Sequence, residues 1–119
     1  MADCKQRLLD ELGKDDWTRL DIINSDMGMW IDEAWKIRST RERWATELYI
    51  GFVVDPVWDA PRSPAQAVRR IIAIPTLPGK ETTNINEIAS IEMPEQFTSQ
   101  LMPFVYALNF YRRTQCVDV

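Results

Sequence analysis

Carboxylates are the side chains of this sequence best suited to acid–base chemistry, because the chain contains no histidine. Glu33 is the strongest candidate: in a strand it shares an apolar face with Ile31 and Trp35, where loss of water would raise the pKa of its carboxyl toward that of a general acid. Asp55 is the second, because it directly follows the most apolar strand, where loops often carry function. Structural interpretations compete with both. A bulge could turn Glu33 outward or an arginine pair with it, and Asp55 could simply form a turn.

Arginines form the densest cationic run of the chain, at Arg38, Arg41 and Arg43, with Trp44 next to them. Guanidinium groups suit carboxylate or phosphate partners, and an indole ring can stack on a base. The competing interpretation is a solvated strand connection whose arginines pair with Glu42 and Glu47.

An aromatic, proline-rich loop over residues 55–64 is the preferred binding surface. Its prolines stiffen the segment and lower the entropy lost on binding, while Trp58 and Arg62 are residue types enriched at interface hot spots. The alternative is that Trp58 folds back over the edge of the core.

Motifs for cofactors and metals are absent from the sequence. It contains no HExxH, CxxC, phosphate-loop or dinucleotide-binding pattern. Cys4 and Cys116 lie far apart and lack a histidine partner, so we expect reduced thiols rather than a disulfide or a nucleophile. The sequence therefore predicts neither a metal nor a cofactor.

Composition indicates one domain over residues 1–119 of a cytoplasmic protein. Apolar residues make up 45% and charged residues 27% of the chain, as in ordinary globular domains. No stretch resembles a signal peptide or is long enough to span a membrane. The net charge of −4 argues against nucleic acid as a partner, although basic side chains predominate in residues 36–70.

Hydrophobic periodicity predicts an α+β fold, a three-stranded antiparallel meander with N-terminal and C-terminal helices packed on one face. The strands are expected at about 29–38, 44–54 and 67–74, with the second one central because its later half is apolar on both faces.

Helices are predicted over 3–12, capped by Asp3 and ended by Gly13, and after Pro94. Residues 17–23 are interpreted as a short helix although they also alternate like a strand, and residues 84–89 as one or two helical turns. Pro103 either kinks the last helix or lies in the first turn of one capped by Ser99.

The apolar faces of these elements predict the core. The residues expected to be largely buried are Leu48, Ile50, Phe52, Ile72, Leu101 and Leu108.

A non-enzymatic protein-binding module is the function that these observations favour, with a protein partner and with homodimerisation left open. The alternatives are a small-ligand binder or small enzyme using Glu33 and Asp55 with an arginine, and an arginine-mediated nucleic-acid binder. In a meander, the arginine connection and the Trp58 loop leave opposite ends of the middle strand, so we expect two separate surfaces.

Overall fold

The computed structural model describes residues 2–23, 31–41, 45–54, 68–76 and 87–117. These residues form helix α1 (Ala2–Lys14), five strands and helix α2 (Phe97–Val117). The strands are β1 (Thr18–Ile23), β2 (Ile31–Ser39), β3 (Thr46–Val54), β4 (Val68–Ile74) and β5 (Ala89–Glu92).

The described strands form one antiparallel sheet in the order β1-β2-β3-β4-β5, in which each strand pairs with its neighbours in sequence. The predicted α+β class and antiparallel meander are confirmed. The predicted number of three strands is wrong, because β1 and β5 extend the sheet on either side of β2, β3 and β4. Those three begin and end within about two residues of the predicted bounds, the usual uncertainty of element ends.

Residues 18–23 are a strand and not the predicted short helix. β1 pairs with β2 from Thr18 opposite Arg38 to Ile23 opposite Ala34, with a register shift between Arg19 and Asp21. The alternating pattern of this segment was the correct signal, since pairing with the edge of β2 satisfies backbone groups that a short isolated helix would leave open.

The turn between α1 and β1 explains why the helix does not continue. The N–H of Trp17 donates to the carbonyl of Leu12 at 3.0 Å and that of Asp16 to the carbonyl of Gly13 at 3.2 Å, while Asp16 has φ of 67°. This pattern is a Schellman motif with Asp16 in the left-handed position. The helix therefore ends at Lys14, and Asp16, rather than the predicted Gly13, terminates it.

The predicted helical turns at 84–89 are also wrong where the structure describes them. Ala89 begins β5, and the N–H of Ile88 extends the pairing with β4 by donating to the carbonyl of Ala73 at 2.7 Å. Ile91 of β5 is fully buried on the helix side of the sheet, opposite Ile71. Burial of this face favours the strand. The proposed start at Asn84 lies outside the described residues.

Helix termini differ from the prediction as well. α1 begins at Ala2, so Asp3 lies inside the helix instead of capping it, and α2 begins at Phe97, before Ser99. Pro103 lies inside α2, which excludes the interpretation that places it in the first turn. Because Pro103 has no N–H, the carbonyl of Ser99 lacks its helical donor, and both residues are exposed, so that water can replace it.

The main core lies between the helices and one face of the sheet. Side chains of α1 and α2, such as Leu8 and Leu101, share one cluster with Trp35, Ile50 and Phe52. The ring of Trp35 meets that of Phe52 edge-on, with centroids 4.8 Å apart. The structure confirms burial of the six predicted core residues: Leu48, Ile50, Phe52, Ile72, Leu101 and Leu108.

A smaller apolar cluster lies on the opposite face of the sheet. Its buried members are Ile31, Ala34, Ile72 and Ile74. Gly51 lies in register between Ala34 and Ile72, and a Cβ there would come 3.2 Å from Cγ1 of Ile72 and 3.4 Å from Cδ1 of Ile31. The missing side chain of Gly51 is thus what lets the two isoleucines close over β3.

Candidate functional site

Three of the eight predicted site residues lie within the described part of the chain: Glu33, Arg38 and Arg41. The other five lie outside it: Arg43, Trp44, Asp55, Trp58 and Arg62. The connection after β2 and the segment after β3 leave opposite ends of β3, where β3 starts at Thr46 and ends at Val54.

Glu33 lies on the helix side of the sheet, as the alternation predicts. Its contacts there hold parts of the fold together. The prediction that Ile31 shares this face with Glu33 and Trp35 is wrong for Ile31, because a register shift between Ile31 and Glu33 puts Ile31 on the other face, whereas Glu33 stands opposite Phe52. Lys5 of α1 donates to Oε1 of Glu33 at 2.8 Å and the indole N–H of Trp35 donates to Oε2 at 2.8 Å. Both carboxylate oxygens therefore accept hydrogen bonds from protein donors.

The ion pair of Lys5 and Glu33 ties α1 to the sheet. The Lys5 ammonium also lies 4.8 Å from the ring centroid of Phe52, so that its charge is balanced by a carboxylate and an aromatic face together. The side chains keep only 28% and 18% of their exposure, and half-buried pairs of this kind need such complete partnering. Glu33 therefore stabilises the packing of α1 on the sheet. Its partner is Lys5 and not an arginine, the partner considered from the sequence.

Arg38 and Arg41 each have a carboxylate nearby. Nε of Arg38 is 3.9 Å from Glu47, the partner expected from the sequence, and Nε of Arg41 is 3.6 Å from Asp16. Lys36 shares Glu47 at 3.6 Å. These exposed pairs contribute little stability, but they place negative charge beside the cations. The local field is therefore mixed instead of uniformly positive.

A cleft of about 290 Å³ opens beside Arg38, at the start of β1 and the end of β2. Its lining comprises Asp16, Thr18, Leu20, Arg38 and Thr40. One cation, one carboxylate and two hydroxyls can hold a small polar group, although the volume is at the lower limit of typical ligand pockets. The cleft brings Arg38 together with residues that the sequence did not single out.

Arg112 is a buried charged side chain whose contacts the sequence did not predict. From the sequence, it was expected to interact with the negative end of the helix dipole of α2. It is only 2% exposed and donates to the carbonyl of Asp15 at 2.6 Å and to Oγ of Ser39 at 2.9 Å. Its guanidinium carbon lies 5.0 Å from the ring centroid of Trp17, whose indole N–H donates to Asn109 at 2.9 Å. The sequence did contain a sign of this burial: Arg112 continues the helical spacing of the apolar residues of α2, and this position predicts a side chain directed toward the core.

The outer face of α2 carries a row of large apolar side chains that sequence reasoning missed. Met102, Tyr106 and Phe110 recur at every fourth position and are 40%, 59% and 61% exposed. Residues four apart lie on the same side of a helix, so the three side chains form one stripe. Arg113 is the single charged residue among the exposed positions of α2 that the structure describes. The signal was the apolar character of α2 on both sides, since a helix at a protein surface ordinarily has a polar outer face.

Other chemistry is limited in the parts of the chain that the structure covers. Cys4 is a free thiol, and no three acidic or cysteine side chains come together as a metal site within the described ranges. Neither described helix has the length and apolarity needed to cross a membrane. Comparisons with protein-family models, with curated proteins and with solved structures found no match to this chain.

Proposed function

We propose that this chain is a non-enzymatic protein-binding domain that contacts its partner through the α2 stripe, formed by Met102, Tyr106 and Phe110. The observation that supports this most directly is their alignment and exposure on one helix face. Single exposed apolar residues are normal on protein surfaces, whereas contiguous apolar patches mark contact sites. Tyrosine and methionine are also enriched at interfaces.

The environment of Glu33 favours binding over catalysis. A catalytic carboxyl group must offer an oxygen to its substrate, whereas both oxygens of Glu33 accept hydrogen bonds from Lys5 and Trp35. Asp55, the other proposed carboxylate, lies outside the described residues.

Charge favours a protein partner over nucleic acid. The net charge of the chain is −4, and the described arginines of the predicted cationic run, Arg38 and Arg41, each lie beside a carboxylate. Affinity for a phosphate backbone comes mainly from uncompensated positive charge.

Photo-cross-linking tests the proposal. A photoreactive phenylalanine analogue replaces Tyr106 in the full chain, and in a matched control it replaces Ile22, an apolar residue of β1 that is 42% exposed. In extract of the native cells we expect position 106 to label a defined protein partner and position 22 not to do so.

Affinity capture then ranks the surfaces. Loss of a hot-spot aromatic weakens binding by about 2 kcal/mol or more, or roughly 30-fold, so Tyr106→Ala should deplete the captured partner while Ile22→Ala should not. Trp58→Ala tests the loop surface predicted from the sequence in the same assay. Equal capture by wild type, Tyr106→Ala and Trp58→Ala would contradict the proposal for both surfaces.

A further inference from the structure

The geometry points to a second copy of this chain as an occupant of the α2 stripe. We infer that two copies pack α2 against α2 in antiparallel orientation, about a two-fold axis that passes at Tyr106. This inference rests on the proposed function, because it uses the same helix face. It adds that a second copy of the chain binds at that face.

The spacing of the stripe is symmetric about its central residue. Met102 precedes Tyr106 by four positions and Phe110 follows it by four, with all three exposed on one side of α2. A two-fold axis at Tyr106 therefore places Met102 of each copy against Phe110 of the other, and the two Tyr106 rings against each other. Methionine sulfur against an aromatic ring and offset aromatic pairs are both favourable contacts. Such self-complementarity is what a two-fold interface requires.

Charge selects the antiparallel orientation. The single charged residue on the described outer face, Arg113, lies seven positions beyond Tyr106, and its symmetry counterpart seven positions before Tyr106 is the exposed Ser99. An antiparallel pair thus brings Arg113 to a hydroxyl and keeps the two guanidinium groups roughly 20 Å apart along the helix axis, at about 1.5 Å per residue. A parallel pair would place Arg113 against Arg113, and it would also align the helix dipoles unfavourably.

The available area fits a reversible dimer. With about 200 Å² for each large side chain, exposures of 40%, 59% and 61% leave roughly 300 Å² of stripe per copy, the size of patch that is often functional. Two stripes together supply roughly 600 Å², about half of the roughly 1,200 Å² at the lower end of stable interfaces, which is the range of weak, transient contacts. We therefore expect a weak dimer, with a dissociation constant of roughly 100 µM.

Sedimentation velocity on the full chain from 1 µM to 1 mM tests the inference. The average mass of the wild type should rise from 13.9 kDa toward twice that value. Tyr106→Glu places two carboxylates at the axis and should keep the chain monomeric, whereas Leu20→Glu, which charges an apolar residue of β1 that is 49% exposed, should dimerise like the wild type. A wild type that stays monomeric throughout, or a Tyr106→Glu variant that dimerises equally well, would overturn the inference.

Cysteine cross-linking tests the axis independently of any effect on folding. In a background with Cys4 and Cys116 changed to serine, Tyr106→Cys should form a disulfide-linked dimer on oxidation, because the axis brings the two positions together. Phe110→Cys should not, because the two copies of position 110 lie roughly 12 Å apart along the axis at about 1.5 Å per residue. Equal cross-linking by both variants would indicate a parallel pair and contradict the antiparallel arrangement.

The two sets of experiments separate the proposals. A chain that is monomeric at 1 mM, yet loses a captured partner when Tyr106 is changed, retains the proposed function and loses this inference. A chain that dimerises through Tyr106 but cross-links to no other protein supports the inference alone.

Discussion

Replacing Arg112 with methionine should destabilise the protein by about 3 kcal/mol. Methionine keeps an unbranched apolar stem in the same space and removes only the guanidinium. That group is buried and donates at 2.6 Å to the carbonyl of Asp15 and at 2.9 Å to the hydroxyl of Ser39. It thereby ties α2 to the turn after α1 and to the end of β2.

The magnitude follows from these contacts. Each hydrogen bond from a charged donor contributes about 1.5 kcal/mol at the lower end of measured values, which makes about 3 kcal/mol for the two. Stacking of Arg112 on Trp17 at 5.0 Å adds about 1 kcal/mol. Methionine recovers part of this because its burial requires no desolvation of a charge. For a domain of this size, a loss of about 3 kcal/mol lowers Tm by roughly 12 °C.

Urea unfolding measures the effect, followed by tryptophan fluorescence, to which all five tryptophans of the chain contribute, and by far-UV circular dichroism. Arg113→Met is the matched control. Arg113 follows Arg112 in the sequence but is exposed, so we expect its replacement to change the free energy of unfolding by less than about 0.5 kcal/mol. Equal midpoints for the two variants would refute the reasoning, since they would mean that the buried guanidinium gives no net stabilisation over an apolar side chain.

Three further predictions concern stability, each measured by urea unfolding at low micromolar concentration, where the chain is monomeric. Phe52→Ala should cost about 4 kcal/mol because Phe52 is fully buried, whereas Phe110→Ala, 61% exposed, should change the unfolding free energy by less than about 1 kcal/mol; similar losses for both would place the core wrongly. Gly13→Ala should stabilise by about 0.5 kcal/mol because no atom lies within 4 Å of the added Cβ, whereas Gly51→Ala should give no gain because its Cβ meets a neighbour at 3.2 Å; a larger gain at Gly51 would contradict this. Asp16→Gly should stabilise by about 0.5–1 kcal/mol because φ is 67° there, and a loss of stability would show that the Asp16 side chain outweighs its backbone strain.

The long elements of the fold could be predicted from the sequence because their periodicity is strong. β3 alternates in its first half and is apolar on both faces in its second half, so its bounds, its central position and its buried residues followed from the pattern. β1 and β5 were missed for a physical reason. They are short edge strands, and what stabilises them is pairing with β2 and β4, a tertiary effect that local propensity does not contain.

The candidate site was less accessible to sequence reasoning. Alternation placed Glu33 on the correct face, but its partner Lys5 lies 28 residues away, and no local pattern encodes such a contact. The outer face of α2 was overlooked because apolar residues at helical spacing were read as core, and the sequence alone does not show which side of an all-round apolar helix meets the sheet.

The order of the strands has a consequence for how the molecule assembles. Every described strand pairs with its sequence neighbour, so the sheet can grow by successive hairpin closures. The contacts between the two ends of the fold are different: the hydrogen bond from Trp17 to Asn109 joins residues 92 apart, and closing a loop of that length carries a larger entropic penalty. We therefore expect these contacts to form after the folding barrier. In a chevron analysis, Asn109→Ala should raise the unfolding rate and leave the folding rate nearly unchanged. The hydrogen bond between Trp17 and Asn109 would then determine the lifetime of the folded state.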